Sequence, residues 1–498
     1  MRKTLVLAAL LSGTMFTATA QAQTQPATSE APVQEQAGEE IVPPAAPANA
    51  EETATQVEFL QAQVGALQAQ LDSLKKQVTT STPSWKAAPQ FASGNGFTFK
   101  PKGFVQFDAG YIEREIGAQS YNGLGFGNRA RRIVFGAEGS MPGGFGYKVE
   151  LNLAQSAVDY EDVVLTYQRA GSPIQVTVGN FYPLSSLETM TSSRLGSFME
   201  RATFTEAFGY NRRLGAAIAL TDKADSYTLT AGIFGQEINN SNDGTTRTGW
   251  QGSVRGTYSP MLGSTRLHIG GSYQHRVFQR DAQGFQYRAR PFTQITGQRF
   301  IDTGNLAANG DDVVGIELAA IHGPLHFAAE GQKLWVDSHA PGHVFDRNNG
   351  TAGRFLLDSP SFTSVYGEVG FYLTGESRGY KGGKWDRTKV LKPFDQGGMG
   401  AIQINARVDY TDLNDRVAAG ANLTTANNFY VNGGKQVGYQ ASVIWNPMDY
   451  IRFMAQFSHT VVDGGSQAAT VNPLPATTPI NARSYKFNSL AMRAQVEF

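Results

Sequence analysis

From Phe97 to Phe498, apolar residues recur at every second position in one segment after another. Val105, Phe107, Ala109 and Tyr111 alternate with Gln106, Asp108 and Gly110, and Ile133, Phe135 and Ala137 with Val134, Gly136 and Glu138. Tyr147, Val149, Leu151 and Leu153 oppose Lys148, Glu150 and Asn152; Ile402, Ile404, Ala406, Val408 and Tyr410 oppose Gln403, Asn405, Arg407 and Asp409. The last segment is the clearest, with Leu490, Met492, Ala494, Val496 and Phe498 on one side and Arg493, Gln495 and Glu497 on the other. A period of two is the signature of strands. No apolar stretch approaches the roughly 20 residues that a membrane helix needs. A soluble sandwich would alternate as well, because one face of each strand packs in a core. Here, however, the polar faces carry Arg, Lys, Glu and Asp on strand after strand, and no obvious helices stand ready to cover the apolar faces. Lipid is the simpler destination, and in hydrocarbon only a closed barrel satisfies every strand edge. The expected fold is all-β, a transmembrane antiparallel β-barrel over residues 97–498. Sixteen strands allow about 25 residues per strand and connection, and fourteen or eighteen fit nearly as well.

Upstream the pattern differs. Arg2 and Lys3, the apolar run from Leu5 to Leu11, and Ala20-Gln21-Ala22 predict a signal peptide over residues 1–22. Residues 23–56 hold almost no large apolar side chain and read as a disordered linker. Val57, Leu60, Val64, Leu67, Leu71, Leu74 and Val78 then repeat at alternating spacings of three and four, a heptad seam that predicts a short periplasmic coiled coil over residues 57–80. An amphipathic helix packed on its own chain is the alternative. Residues 81–96 read as a second linker.

Composition agrees with a barrel. Only 17% of residues are charged, aromatics reach 11%, glycine contributes 55 residues, and mean hydropathy is still −0.29. A wall with one lipid face and one watery face needs that mixture. Cysteine is absent, which removes disulfides and thiolate metal sites. The formal net charge of zero conceals an acidic stretch at 23–90, so residues 91–498 keep 37 basic and 34 acidic side chains. An excess of that size does not suit nucleic-acid binding.

Several segments resemble the phosphate-selective porin O and P family, from about Gly103 to Phe498. They are Arg131-Arg132-Ile133-Val134-Phe135-Gly136-Ala137-Glu138-Gly139, Thr177-Val178-Gly179-Asn180-Phe181, Phe198-Met199-Glu200-Arg201, Tyr372-Leu373-Thr374-Gly375-Glu376-Ser377 and Gly397-Gly398-Met399-Gly400-Ala401. Gly433-Gly434-Lys435 and Trp445-Asn446-Pro447 follow in the same order. The resemblance implies a trimeric sixteen-stranded channel in the outer membrane of a Gram-negative bacterium, with phosphate or polyphosphate as solutes. It also implies a long loop folded inward as a constriction, with Arg194 and Arg201 in its lining.

An anion pathway needs cationic donors on the lumen; Arg supplies a planar fork for oxyanions and Lys a compact charge. By alternation Arg132, Lys148, Arg407, Arg452 and Arg493 point inward. The alternative is that such charges pair with Glu138, Glu150, Asp409 and Glu497 to brace the wall. Arg276, Arg280, Arg288, Arg290 and Arg299, outside clear strands and with only Asp281 among them, read as a solute funnel. Arg378, Lys381, Lys384, Arg387, Lys389 and Lys392 read as an exposed loop that is solvated or binds lipopolysaccharide. Glu200 stands beside Arg201 and could neutralise it.

The pairs His322/His326 and His339/His343 have helical metal-ligand spacing, but Gly323-Pro324 and Ala340-Pro341-Gly342 forbid helix, and extended residues four apart lie roughly 13 Å from each other. No metal, cofactor or enzymatic activity is expected, since no nucleophile elbow or phosphate loop is present. The leading expectation is passive diffusion of small anions through a lumen lined by Arg and Lys, in a homotrimer contacting outer-membrane lipids. A general small-solute channel, a structural envelope protein and an outer-membrane enzyme are the competing readings.

Overall fold

The computed structural model describes residues 50–81, 84–86, 88–114, 123–154, 158–238, 248–279, 284–341, 343, 355–417, 420–422, 430–465 and 475–498. The predicted signal peptide, most of the first linker and Arg280 lie outside them. Sixteen long antiparallel strands form the wall. The first eight are β1 (Thr98–Ile112), β2 (Gly125–Met141), β3 (Phe145–Asn152), β4 (Asp159–Tyr167), β5 (Ile174–Phe181), β6 (Arg213–Thr221), β7 (Tyr227–Phe234) and β8 (Thr248–Tyr258). The second eight are β9 (Thr265–Phe278), β10 (Ala308–His322), β11 (Leu325–Ser338), β12 (Ser361–Tyr372), β13 (Ala401–Asp415), β14 (Val431–Met448), β15 (Ile451–Asp463) and β16 (Ser484–Glu497). Each pairs with its sequence neighbour, and β16 pairs with β1 from Ser489↔Ile112 to Glu497↔Phe104. The sheet therefore closes and leaves no wall edge, as hydrocarbon demands.

The pleat sorts the side chains as the alternation predicts. Phe107, Val178, Ile233, Ile316, Tyr439 and Met492 are all more than half exposed on the outer face, while Gln106, Asp108, Arg407, Asp409, Arg452 and Arg493 are buried inside. Register shifts break the rhythm at several strand pairs, and two of them re-aim charged side chains. In β2 the register slips beside Gln106 and Phe107, so that Arg131 and its neighbour Arg132 both serve the lumen. In β4 a slip opposite Glu150 leaves Glu161 and Asp162 together facing the basic side chain of Arg212. A bulge adds one residue to one strand and re-aims its neighbour. Without it, one member of each charged pair would meet lipid.

One end of the barrel has short turns, such as Gly323-Pro324 between β10 and β11. Long connections crowd the other end. The loop at 182–212 folds inward, and a second connection, carrying the hairpin Phe285–Ala289/Ile301–Leu306, packs above it. Phe204, Phe208 and Tyr210 of the first join Tyr287, Phe300 and Ile301 of the second and Phe362 and Leu334 of the wall in an apolar core inside the barrel. At the turn end, the connection 373–400 forms a hairpin, Gly379–Lys381 with Lys384–Asp386, that also turns inward. Its tip binds Asp225, whose carboxylate oxygens accept from the Gly382 N–H at 2.8 Å, and the Gly383 carbonyl accepts from Arg255. The expectation of an exposed basic loop there holds for Lys381, Lys384, Lys389 and Lys392, and is corrected for Arg378, which is buried beside Trp385, while Arg387 is half-buried.

Before the wall, one helix, α1, runs over Ala50–Ser81, beginning seven residues ahead of the predicted seam. Val57, Leu60, Val64, Leu67 and Leu71 are each about half exposed or more. The stretch read as a second linker carries two short paired strands, Ser84–Lys86 and Ala88–Ala92, of which the latter meets β1 through Phe91↔Phe99.

Candidate functional site

The inward loop starts at Ser186, which sits at φ 57° and caps a four-residue helix through Oγ, accepting from the Thr189 N–H at 2.9 Å. Two more first-turn N–H groups, of Leu187 and Glu188, donate at 2.8 Å to the carboxylate of Glu330 on β11. These are the donors that a helix start leaves without intrahelical partners, and a carboxylate suits them in charge as well. Tyr366 steadies the same carboxylate with its hydroxyl, at 2.8 Å.

Wall side chains then hold the loop along its length. Arg493 forks onto Asp108 at 2.6 and 2.7 Å and donates to the Met199 carbonyl at 2.6 Å. Arg407 joins Glu368 to Glu188 of the loop and lies between the rings of Phe198 and Tyr366, 4.4 and 4.6 Å from their centroids. Arg452 donates to the carbonyls of Arg194 and Gly196. Arg276, inside β9 and not in a loop as its sequence context suggested, forks onto Asp311 at 2.6 Å and reaches the Phe208 carbonyl at 2.7 Å. Asp409 accepts from the Thr203 N–H and Gln456 from the Met199 N–H. Each of these charges that hold the loop thus meets backbone or an opposite charge, as low-dielectric burial requires.

Because the loop and hairpins lean on β8–β16 and on β2, the inward faces of β3–β7 stay mostly half-buried, and the lumen is open along them. Beside the loop lies a cavity of 600 Å³. Seven guanidinium groups line it. Three have acid partners: Arg131 pairs with Glu200, and Arg290 and Arg299 both pair with Glu206. Arg132, Arg201, Arg213 and Arg288 form no ion pair among the described residues. Arg132 donates to Gln106 at 3.0 Å; Arg201 donates to the carbonyls of Glu188 and Thr191 and to the Tyr182 hydroxyl. The cavity also holds Glu188, Glu200, Glu206 and Glu237, and of these only Glu237 lacks an Arg partner among the described residues.

The candidates named from sequence are thereby divided. Arg132, Arg201, Arg288 and Arg290 reach the cavity, whereas Arg276, Arg407, Arg452 and Arg493 grip the loop. Arg194 lies nearer the turn end, where it meets Glu497 at 3.4 Å. Glu200 pairs with Arg131 and Arg493 and not with its neighbour Arg201. Arg299, read from the sequence as part of the solute funnel, also reaches the cavity, whereas Arg131 and Arg213 were missed as lining residues. Arg213 could have been found, since it opens the alternating run Leu214, Ala216, Ile218 on the polar side. Arg131 follows strict alternation onto the wrong face, and only two charged neighbours within one strand hint at the bulge.

A strip of ion pairs runs along β1–β4 to the end of the inward loop, with Lys102 on Glu138 and Glu150, Lys148 on Glu150 and Asp162, and Arg212 on Glu161 and Asp162. Among the described residues no cluster of three metal-ligating side chains occurs. The distance expected for one histidine pair is corrected: a turn in which the His343 N–H bonds the Ala340 carbonyl stacks His339 and His343 with centroids 4.0 Å apart.

Residues 99–498 match the family described as phosphate-selective porin O and P. An uncharacterised protein of Caulobacter vibrioides is 37% identical over 426 residues, covering 83% of this chain and 77% of its own. Porin O of Pseudomonas aeruginosa is 26% identical over 403 residues, covering 74% and 84%. Among solved structures, the outer-membrane channel DcaP of Acinetobacter baumannii covers 82% of the chain and 99% of its own at 13% identity and a TM-score of 0.46. The anion-selective porin from Comamonas acidovorans covers 81% and 100% at 11% identity and a TM-score of 0.46. A closed sixteen-stranded barrel, an inward loop and a family match across the whole wall agree that this is a channel of the Gram-negative outer membrane. The chain belongs to the phosphate-selective porin O and P family.

Proposed function

We propose that the channel passes small anions by diffusion, with a preference for oxyanions such as phosphate or polyphosphate. The observation that carries this reading is the set of four guanidinium groups, Arg132, Arg201, Arg213 and Arg288, which line the cavity with no ion pair among the described residues. Their field is not cancelled locally, and low-dielectric walls concentrate it in the cavity. A planar guanidinium also suits an oxyanion better than an ammonium does. Spread over a cavity of 600 Å³, such groups offer several weak sites in place of one deep trap, so a solute that enters can also leave. Nothing is transformed on the way.

A general small-solute porin is the second reading, favoured by the balanced strip of Lys102, Lys148, Arg212 and their acids along β1–β4 and the end of the inward loop. Planar-bilayer conductance in a KCl gradient separates the two. A reversal potential on the anion side, with chloride current blocked by added phosphate, supports the first reading; weak selectivity without block supports the second.

The exposed seam of α1 fits self-association into a coiled coil, and three copies would match a homotrimer. The apolar outer wall fits outer-membrane lipid and lipopolysaccharide tails.

A further inference from the structure

Away from the large cavity, where the inward loop meets the connection 373–400, a small cavity of 20 Å³ lies among Arg194, Arg378, Arg387 and Arg452. Three carboxylates share its walls, Asp386, Asp449 and Glu497. Glu497 is fully engaged: Arg194 and Arg387 both bind Oε2, and Gln495 donates to Oε1 at 2.8 Å. Asp449 accepts from the Val390 N–H, and Asp386 is exposed. Arg378 and Arg452 are 5% and 6% exposed, and their positive charges repel one another. Glu368 is also near Arg378, but its oxygens are taken by Ser197 and Arg407. Arg378 and Arg452 therefore hydrogen-bond only to the carbonyls of Arg194, Leu195 and Gly196, Arg378 also lying 5.3 Å from the centroid of the Trp385 ring, and the Nε donor of each has no hydrogen-bond partner among the described residues.

Two like charges side by side and out of water are costly without a counter-ion, and a buried donor without an acceptor adds to that cost. Four guanidinium groups against three carboxylates leave one positive charge, so a single monovalent anion balances the site. The cavity holds one water-sized species, for which roughly 10–15 Å³ is the lower limit, and is too small for a tetrahedral oxyanion. We infer that this cavity binds one halide, chloride in the cell, between Arg378 and Arg452. The ion is structural and not cargo: it pins the 194–196 stretch of the inward loop to the connection 373–400 and to β15. The site is separate from the four arginines of the proposed pathway, and phosphate does not compete for it.

The full-length protein, crystallised from detergent in sodium bromide, tests this by anomalous scattering at the bromine edge. Thermal unfolding in sodium chloride against sodium gluconate at equal ionic strength reads whether the ion matters. The expected result is a bromide peak beside the Nε atoms of Arg378 and Arg452, with a melting temperature that rises as halide saturates. Arg378→Gln abolishes the halide dependence, and Arg452→Met does the same. Should both variants fail to fold, the wild-type bromide map and melting curves decide. A water with no anomalous signal overturns the inference, and so does a bromide peak with no effect on melting, an adventitious ion only.

Discussion

Arg131 and Glu200 meet as a bidentate pair, Nε and Nη2 donating to the two carboxylate oxygens at 2.9 Å each. The pair ties a bulged residue of the wall to the centre of the inward loop, and Arg493 adds a third bond at 3.0 Å. Burial works against the Glu200 charge, but Arg131, followed by Arg493 and Arg132, outweighs it and holds the carboxyl well below the usual carboxylate range.

Glu200→Gln removes the acid that neutralises Arg131 and so adds one uncancelled positive charge to the cavity. Anion preference should rise, read as a larger reversal potential in a KCl gradient. The depressed carboxyl contributes stability that is present above its unfolded value and is lost only as pH falls through its lower folded one. Between pH 7 and about pH 4.5 the pair should therefore stay ionised. A loss of loop order in that window, measured as current noise in the wild type, would contradict the assignment.

Arg213→Gln and Arg288→Gln break no ion pair among the described residues, so both variants should fold and assemble normally. Each removes one of four uncancelled charges. A unit charge a few ångströms from a permeating ion in water is worth about 1 kcal/mol, so the anion-to-cation permeability ratio should fall roughly 2–5-fold per substitution. An unchanged ratio in both variants would remove the basis of the proposed selectivity.

Arg276→Met makes the opposite kind of change. It leaves Asp311, which is fully buried, with only the Tyr287 hydroxyl at 2.6 Å. Losing one member of a buried pair costs about 3–5 kcal/mol. Melting of the purified barrel should drop sharply, and whatever folds should keep its ion selectivity. Selectivity lost at full stability would place Arg276 in the pathway after all.

Glu330→Gln takes away one of the two oxygens that receive the N–H groups of Leu187 and Glu188. An amide nitrogen set against one of these donors leaves it unpaired at a cost of about 1–3 kcal/mol. The start of the inward loop should loosen, and single-channel recordings should show more open-state noise at nearly unchanged mean conductance. A quiet trace would mean that Tyr366 and the rest of the loop anchorage suffice.

Leu60→Asp with Leu67→Asp places charge on the α1 seam. If that seam holds copies together, chemical cross-linking of the variant should give fewer trimers while the barrel keeps its strand content by circular dichroism. Equal trimer yield would assign assembly to the barrel wall.

The sequence alone determined the wall. A pleated strand sends successive side chains to opposite faces, so the chain itself assigns Phe107 against Asp108 and Met492 against Arg493, and lipid on one face forces closure. The heptad spacing likewise located a helix within Ala50–Ser81. What inward means for each arginine was decided only by the tertiary structure. Arg493 meets Asp108, 385 residues away along the chain, and Arg276 meets the loop carbonyl of Phe208, 68 residues away. The bulge that turns Arg131 into the lumen depends on the register of β1 against β2. Alternation is a local property of the backbone and can be read along the chain. Which charges are cancelled, and which stay free to meet a solute, depends on how a 31-residue loop packs across the barrel, and no local pattern carries that information.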